Sequence, residues 1–142
     1  QALGNTRSEG VVMGNYAVLL EILGRRQEAI AHFEKAIEIC DRAYPTPGGA
    51  WRACLAEIRA EEGAYGEARA LIQGGRKILE GTHEPELVKL ICKAGIVEFH
   101  AADRTGATNY LAEARSRAIG PMMGPKTDVG REITKLQDLL NT

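Results

Sequence analysis

The chain has 142 residues and a formal net charge of −1, with 18 Lys and Arg against 19 Asp and Glu. This balance argues against nucleic acids and anionic membranes as partners, because both attract strongly basic surfaces. Hydrophobic residues make up 44% of the chain and aromatic residues only 5%, so a folded core must consist mainly of Leu, Ile, Val and Ala, which favours helices.

Apolar residues at helical spacing predict seven helices and no strand. The predicted helices, in chain order, lie near 7–23, 26–43, 48–62, 65–80, 86–101, 105–119 and 128–140. The segment from Thr6 to Glu9 has the pattern of a capping box, which predicts the start of the first helix there. All five prolines fall between the predicted helices, as expected for a residue that breaks helix interiors.

The chemistry-bearing residues form no known catalytic or metal-binding motif. The three cysteines, Cys40, Cys54 and Cys92, have neither disulfide-framework nor zinc-site spacing, which is typical of reduced thiols in a cytoplasmic protein. Cys92 and His100 are eight residues apart on one predicted helix, about 12 Å along its axis, too far for a nucleophile–base pair. We therefore expect no cofactor, no metal, no membrane span and no enzymatic activity.

Aligning the sequence with itself at a shift of 39 residues reveals an internal repeat. One column of this alignment holds the small residues Ala29, Ala68 and Ala107. The column four positions further along the chain holds large apolar residues, and the column three positions after that one holds small residues again. The large residues are Phe33, Ile72 and Leu111, and the second set of small residues is Ala36, Gly75 and Ala114. The same shift aligns the predicted turns at Gly24, Gly63 and Ala102 and an apolar column at Leu19, Ile58 and Val97. Paired helices approach closely only where small side chains meet, so each unit is predicted to be a helical hairpin that stacks on its neighbours.

The first unit, with Ala17, Leu20, Gly24, Ala29, Phe33 and Ala36, resembles a tetratricopeptide repeat. The period of 39 residues departs from the usual 34 and resembles the long-repeat branch of the family found in bacterial signalling proteins, and Arg52, Arg59 and Glu98 occupy positions that are usually apolar. The resemblance implies a right-handed α-solenoid of three hairpins plus a C-terminal capping helix. The expected divisions are 1–6 (the tail of an absent upstream repeat), 7–45, 46–84 and 85–119 (the repeats), 120–127 (a Gly/Pro linker) and 128–142 (the cap).

The family resemblance also implies a concave groove, formed by the first helix of each pair, that holds a peptide or a partner helix. The matching positions are Asn15, Val18, Ile22, Cys54, Glu57, Glu61, Lys89, Lys93, Ile96 and His100. Asn15 matches an asparagine that grips the peptide backbone in some family members. We expect Glu57 and Lys93 to attract opposite charges of the partner. Lys89 and Lys93 face one way on their helix, a pattern more typical of a solvated face than of a site for an acidic peptide.

Three functions remain open from the sequence. The first is a protein-interaction scaffold, in a fragment of a larger protein whose uncapped N-terminal end could support self-association. The second is a regulatory tail of a bacterial signalling protein such as a kinase, cyclase or ATPase-type transcription regulator, suggested by resemblance of residues 4–17 to repeats found there. The third, an enzyme, lacks any convergent cluster of titratable residues.

Overall fold

The computed structural model describes residues 3–142, with side chains from residue 8 onward, and this part of the chain is all-helical. Seven α-helices follow one another, joined before the last by a short 3₁₀ turn at Pro121–Met123. The helices are α1 Leu3–Ile22, α2 Arg26–Ala43, α3 Pro45–Glu61, α4 Tyr65–Leu79, α5 Glu84–His100, α6 Arg104–Arg117 and α7 Asp128–Leu140. The predicted helix count is confirmed, and the bounds of α7 agree with the prediction.

Two predicted helix starts are wrong. Helix α1 begins at Leu3, so Thr6 lies inside the helix and the expected capping box does not mark its start. Helix α3 begins at Pro45 rather than near residue 48, with proline in its first turn. Proline is well tolerated there because the first N–H groups of a helix have no intrahelical acceptor.

Three hairpins result, α1–α2, α3–α4 and α5–α6, each closed by a turn of the same geometry. Gly24, Gly63 and Ala102 have φ values of +79°, +83° and +62°. In each turn the next residue donates its N–H to the carbonyl five residues earlier, at 2.9 Å. These are the hydrogen bonds of a Schellman motif, in which a left-handed residue ends the first helix. The repeat seen in the sequence is therefore also present in the turns.

Ala102 is the one non-glycine residue with positive φ in the described part of the chain. A Cβ is strained in this region, whereas glycine is not. We expect Ala102→Gly to raise the free energy of unfolding by about 0.5–1 kcal/mol, after allowing for the greater freedom of glycine in the unfolded chain. Urea denaturation would measure this increase in the free energy of unfolding. Ala101→Gly, one residue earlier at φ −77°, is the matched control and should give no gain; equal effects at both positions would contradict the explanation.

The small and large columns of the repeat form the core. Ala29, Ala68 and Ala107 are fully buried, and Phe33 is fully buried in a cluster with Ala29 of its own hairpin and Leu55 and Ile58 of the next. In the apolar column Ile58 and Val97 are fully buried, but Leu19 is 49% exposed. Leu19 differs because the first hairpin has no helix of the described chain packed against that side of α1.

The first helix of each later hairpin packs on both helices of the hairpin before it. Helix α3 contacts α1 and α2, α5 contacts α3 and α4, and α7 contacts α5 and α6. Helix α7 thus packs on the third hairpin as α3 packs on the first and α5 packs on the second. The segment before α7 is also packed, since Met123 contacts the core and Thr127 caps the helix through Gly130 N–H.

The polar residues at the usually apolar positions have partners on neighbouring helices. Arg52 donates to both carboxylate oxygens of Asp41, at 3.0 and 2.7 Å. Glu98, which is buried, accepts two hydrogen bonds from Arg69, at 2.9 and 2.7 Å. A buried carboxylate is tolerated when both its oxygens are paired, so this departure from the repeat pattern is compatible with close packing.

Candidate functional site

The predicted groove residues from three helices meet in one depression of about 410 Å³. It lies between α1, α3, α5 and the start of α7. Five predicted groove residues line it: Asn15, Val18, Cys54, Lys89 and Lys93. They meet because each first helix packs on the hairpin before it, which brings equivalent positions of successive units to the same side of the molecule.

A second depression of about 340 Å³ adjoins the first, with Lys93 lining both. Three further predicted groove residues, Ile22, Glu57 and Glu61, contribute to it. We call the two depressions together the groove.

Ile96 and His100 do not line the groove, contrary to expectation. Ile96 is 1% exposed and packs with Leu111 and Leu136, so α7 covers it. His100 lies edge-on to the ring of Phe99, with ring centroids 5.9 Å apart. The position of Ile96 could not be foreseen from the repeat, because it depends on where α7 docks.

Trp51 lies at the edge of the groove on α3. Its ring sits against Gly14, where any side chain would overlap the indole, and 6.1 Å from the ring of Phe33. The indole N–H is buried and has no hydrogen-bond acceptor among the described residues. Buried donors normally find an acceptor, so this N–H is an unsatisfied group beside the groove rather than a contact open to it.

A chain of four charges crosses the groove from α3 to α7. Lys93 Nζ lies 2.8 Å from Glu57 Oε1 and 2.7 Å from Glu132 Oε1. Lys135 Nζ lies 2.6 Å from the other oxygen of Glu57. Glu132 and Lys135 are three residues apart on α7 and therefore share one helix face. Sequence reasoning missed both, although Glu132 lies one repeat length after Lys93.

The electrostatics of this chain of charges keep Glu57 and Lys93 ionised at neutral pH. Burial opposes ionisation of Glu57, but Lys93 and Lys135 outweigh it and lower the pKa of Glu57 to about 2. Burial also opposes the charge of Lys93, yet Cys54, Glu57 and Glu132 hold its pKa well above the usual value. Glu57 and Lys93 thus already have intramolecular partners, which leaves Asn15 and Lys89 as the more available polar groups of the groove.

The thiols of the chain are poor nucleophiles in this environment. Burial raises the pKa of Cys54 to about 11 and that of Cys92 to about 12, and burial also raises the pKa of Cys40. Since the thiolate is the reactive form, almost none of it is present at pH 7.

Another depression, of about 470 Å³, lies between α4, α5 and α6, away from the predicted residues. Arg69 and Glu98, which pair with each other, line it together with Asp103, Asn109 and Tyr110. Its strongest charges are already paired, so it offers less for recognition than the groove does.

Within the described residues, no helix has the length and apolar character needed to cross a membrane. The same part of the chain brings no three His, Cys, Asp or Glu side chains together as metal ligands. No protein-family model and no curated protein sequence matches the chain.

Proposed function

We propose that the chain is a tetratricopeptide-like solenoid and serves as a non-catalytic scaffold, binding a peptide or a partner helix in the groove. The observation that carries the proposal is the meeting of side chains from α1, α3 and α5 in one depression. Extended segments bind best to elongated surfaces that offer backbone partners and apolar contacts together.

The lining of the groove suggests the chemistry of the bound segment. Val18 and Cys54 supply apolar contacts, and Asn15 can donate to and accept from a peptide backbone. Lys89 supplies a cation near the open side; its partner, Glu86, is on the same helix at 3.1 Å. These groups favour a segment with free backbone carbonyls and an acidic side chain.

A peptide-library selection against the whole chain would test the proposal. Trp51, the sole tryptophan of the sequence, provides the readout, since a peptide in the groove should change its fluorescence. The groove variant Asn15→Ala/Lys89→Ala should weaken binding of selected peptides at least tenfold.

The matched control is Gln27→Ala/Lys35→Ala, which removes an exposed amide and an exposed lysine from α2. It should leave both the affinity and the fluorescence change unaltered. If selected peptides bind the groove variant normally but lose affinity for the α2 variant, the binding surface lies on the second helices. That result would contradict the proposal.

A further inference from the structure

Helix α1 and Leu23, the residue after it, carry an apolar stripe that the other described helices leave at least 45% exposed, although Tyr16 meets the ring of His32 on α2 edge-on at 5.0 Å. The stripe consists of Val12, Tyr16, Leu19 and Leu23, which are 65%, 45%, 49% and 61% exposed. These residues follow helical spacing and share one face. No charged residue interrupts the stripe, which is typical of a surface that packs against another protein element.

The internal repeat indicates what such a stripe packs against. The equivalent positions of α3 include Leu55 and Ile58, and those of α5 include Leu90 and Val97. These four side chains are at most 4% exposed, because α3 and α5 lie on the hairpin before them. The stripe of α1 is thus the surface that, elsewhere in this chain, packs on the free end of a preceding hairpin.

Helix α7 has a stripe that matches the α1 stripe more closely than those of α3 and α5 do. Three repeat lengths after the α1 stripe come Val129, Ile133, Leu136 and Leu140, identical to it at three of four positions. The α7 stripe packs on the third hairpin, where Leu136 is fully buried over Gly95. A Cβ at Gly95 would lie 2.5 Å from Leu136 Cδ2, so the surface is shaped for this leucine.

We propose that the stripe of α1 binds the third hairpin of a second copy of this chain, at the place that α7 occupies in its own copy. The two helices would be alternative occupants of one surface. Hairpins one and two cannot offer this surface to a second copy, because α3 and α5 cover it. Contact of this kind joins copies head to tail and leaves each end of the assembly free to add another copy, so α7 limits such growth.

Two features favour α7 over α1 of another copy. The first is the tether, since a covalently linked helix competes at a high effective concentration. The second is charge: α7 places Glu132 on Lys93 and Lys135 on Glu57, whereas α1 has Asn15 and Val18 at the equivalent positions. We therefore expect the wild-type chain to be monomeric at micromolar concentrations.

Sedimentation velocity on variants of the full chain tests the proposal. Leu136→Asp places a charge in the buried contact of α7 and should release it, so that this variant assembles with rising concentration. Leu136→Asp/Leu19→Asp, which also alters the stripe of α1, should assemble at least tenfold more weakly. Leu136→Asp/Asn15→Glu, which gives α1 the carboxylate that Lys93 binds, should assemble at lower concentration than Leu136→Asp alone.

Release of α7 also exposes apolar surface that could cause non-specific aggregation. The ranking of the three variants by the concentration at which they assemble distinguishes such aggregation from the proposed contact. A synthetic peptide of residues 126–142 should occupy the vacated surface and suppress assembly of Leu136→Asp. Assembly that is unaffected by Leu19→Asp and by the peptide would overturn the proposal. So would a wild-type dimer that Leu19→Asp abolishes, because two α1 stripes would then be pairing with each other.

A second variant covers the case in which Leu136→Asp does not fold. Glu132→Asn/Lys135→Val gives α7 the residues that α1 has at these two positions, Asn15 and Val18, and leaves its apolar contacts intact. This variant should associate at lower concentrations than the wild-type chain, and Leu19→Asp should again prevent it. Absence of Leu19-dependent association in both backgrounds would refute the inference.

Discussion

Replacing Phe33 by alanine should lower the free energy of unfolding by about 3–5 kcal/mol. Phe33 is fully buried, packs against the small residues of its own hairpin and lies 6.1 Å from the ring of Trp51 on α3. Its loss would leave a cavity at the junction of the first two hairpins, which the close-packed helices could fill only in part. Urea denaturation followed by circular dichroism would measure the change.

Met122→Ala is a suitable control for this prediction, because Met122 is a large apolar residue that is 76% exposed. Its replacement should change the free energy of unfolding by no more than about 0.5 kcal/mol. Equal effects of the two substitutions would mean that the side chain at position 33 does not fill the junction between hairpins.

Protonation of Glu57 at acidic pH should lower the free energy of unfolding by an amount on the order of 3 kcal/mol. The pKa of this carboxyl falls from an ordinary value of 4.5 to about 2 in the folded chain, because Lys93 and Lys135 outweigh the effect of its burial. A group with a depressed folded-state pKa stabilises the fold above its unfolded pKa. The contribution is therefore complete above about pH 5 and is lost as the pH falls from 4.5 towards 2.

The variant Glu57→Gln isolates this effect, since glutamine has nearly the same shape and does not titrate. The difference in unfolding free energy between wild type and variant, measured by urea denaturation at several pH values, should be largest near pH 6. It should shrink towards zero near pH 2. A difference that stays constant over this range would show that the charge of Glu57 does not couple to folding.

The sequence alone determined most of the fold, because the features concerned are local or periodic. Helices follow from apolar spacing, and the turns follow from Gly24 and Gly63, since a left-handed residue ends a helix at little cost only when it is glycine. Ala102 shows the strength of the repeat: its position was predicted from the 39-residue shift, although alanine is a poor residue for that conformation.

The sequence also placed eight of the ten predicted groove residues around the two adjoining depressions, because equivalent positions of stacked units lie on the same side. The other two depended on contacts that periodicity does not describe. Ile96 has the spacing of a groove residue but is buried, since α7 lies over it.

Only the tertiary structure decided which charges are available in the groove and which apolar stripe is exposed. The pairs Lys93–Glu57 and Lys135–Glu57 join residues 36 and 78 positions apart, and such pairs depend on how neighbouring helices cross. The stripes of α1 and α7 are nearly the same in sequence, yet Leu19 is half exposed and Leu136 fully buried. A side-chain pattern specifies a face of a helix, but burial requires a second surface against it, and only the packing of the hairpins supplies that surface.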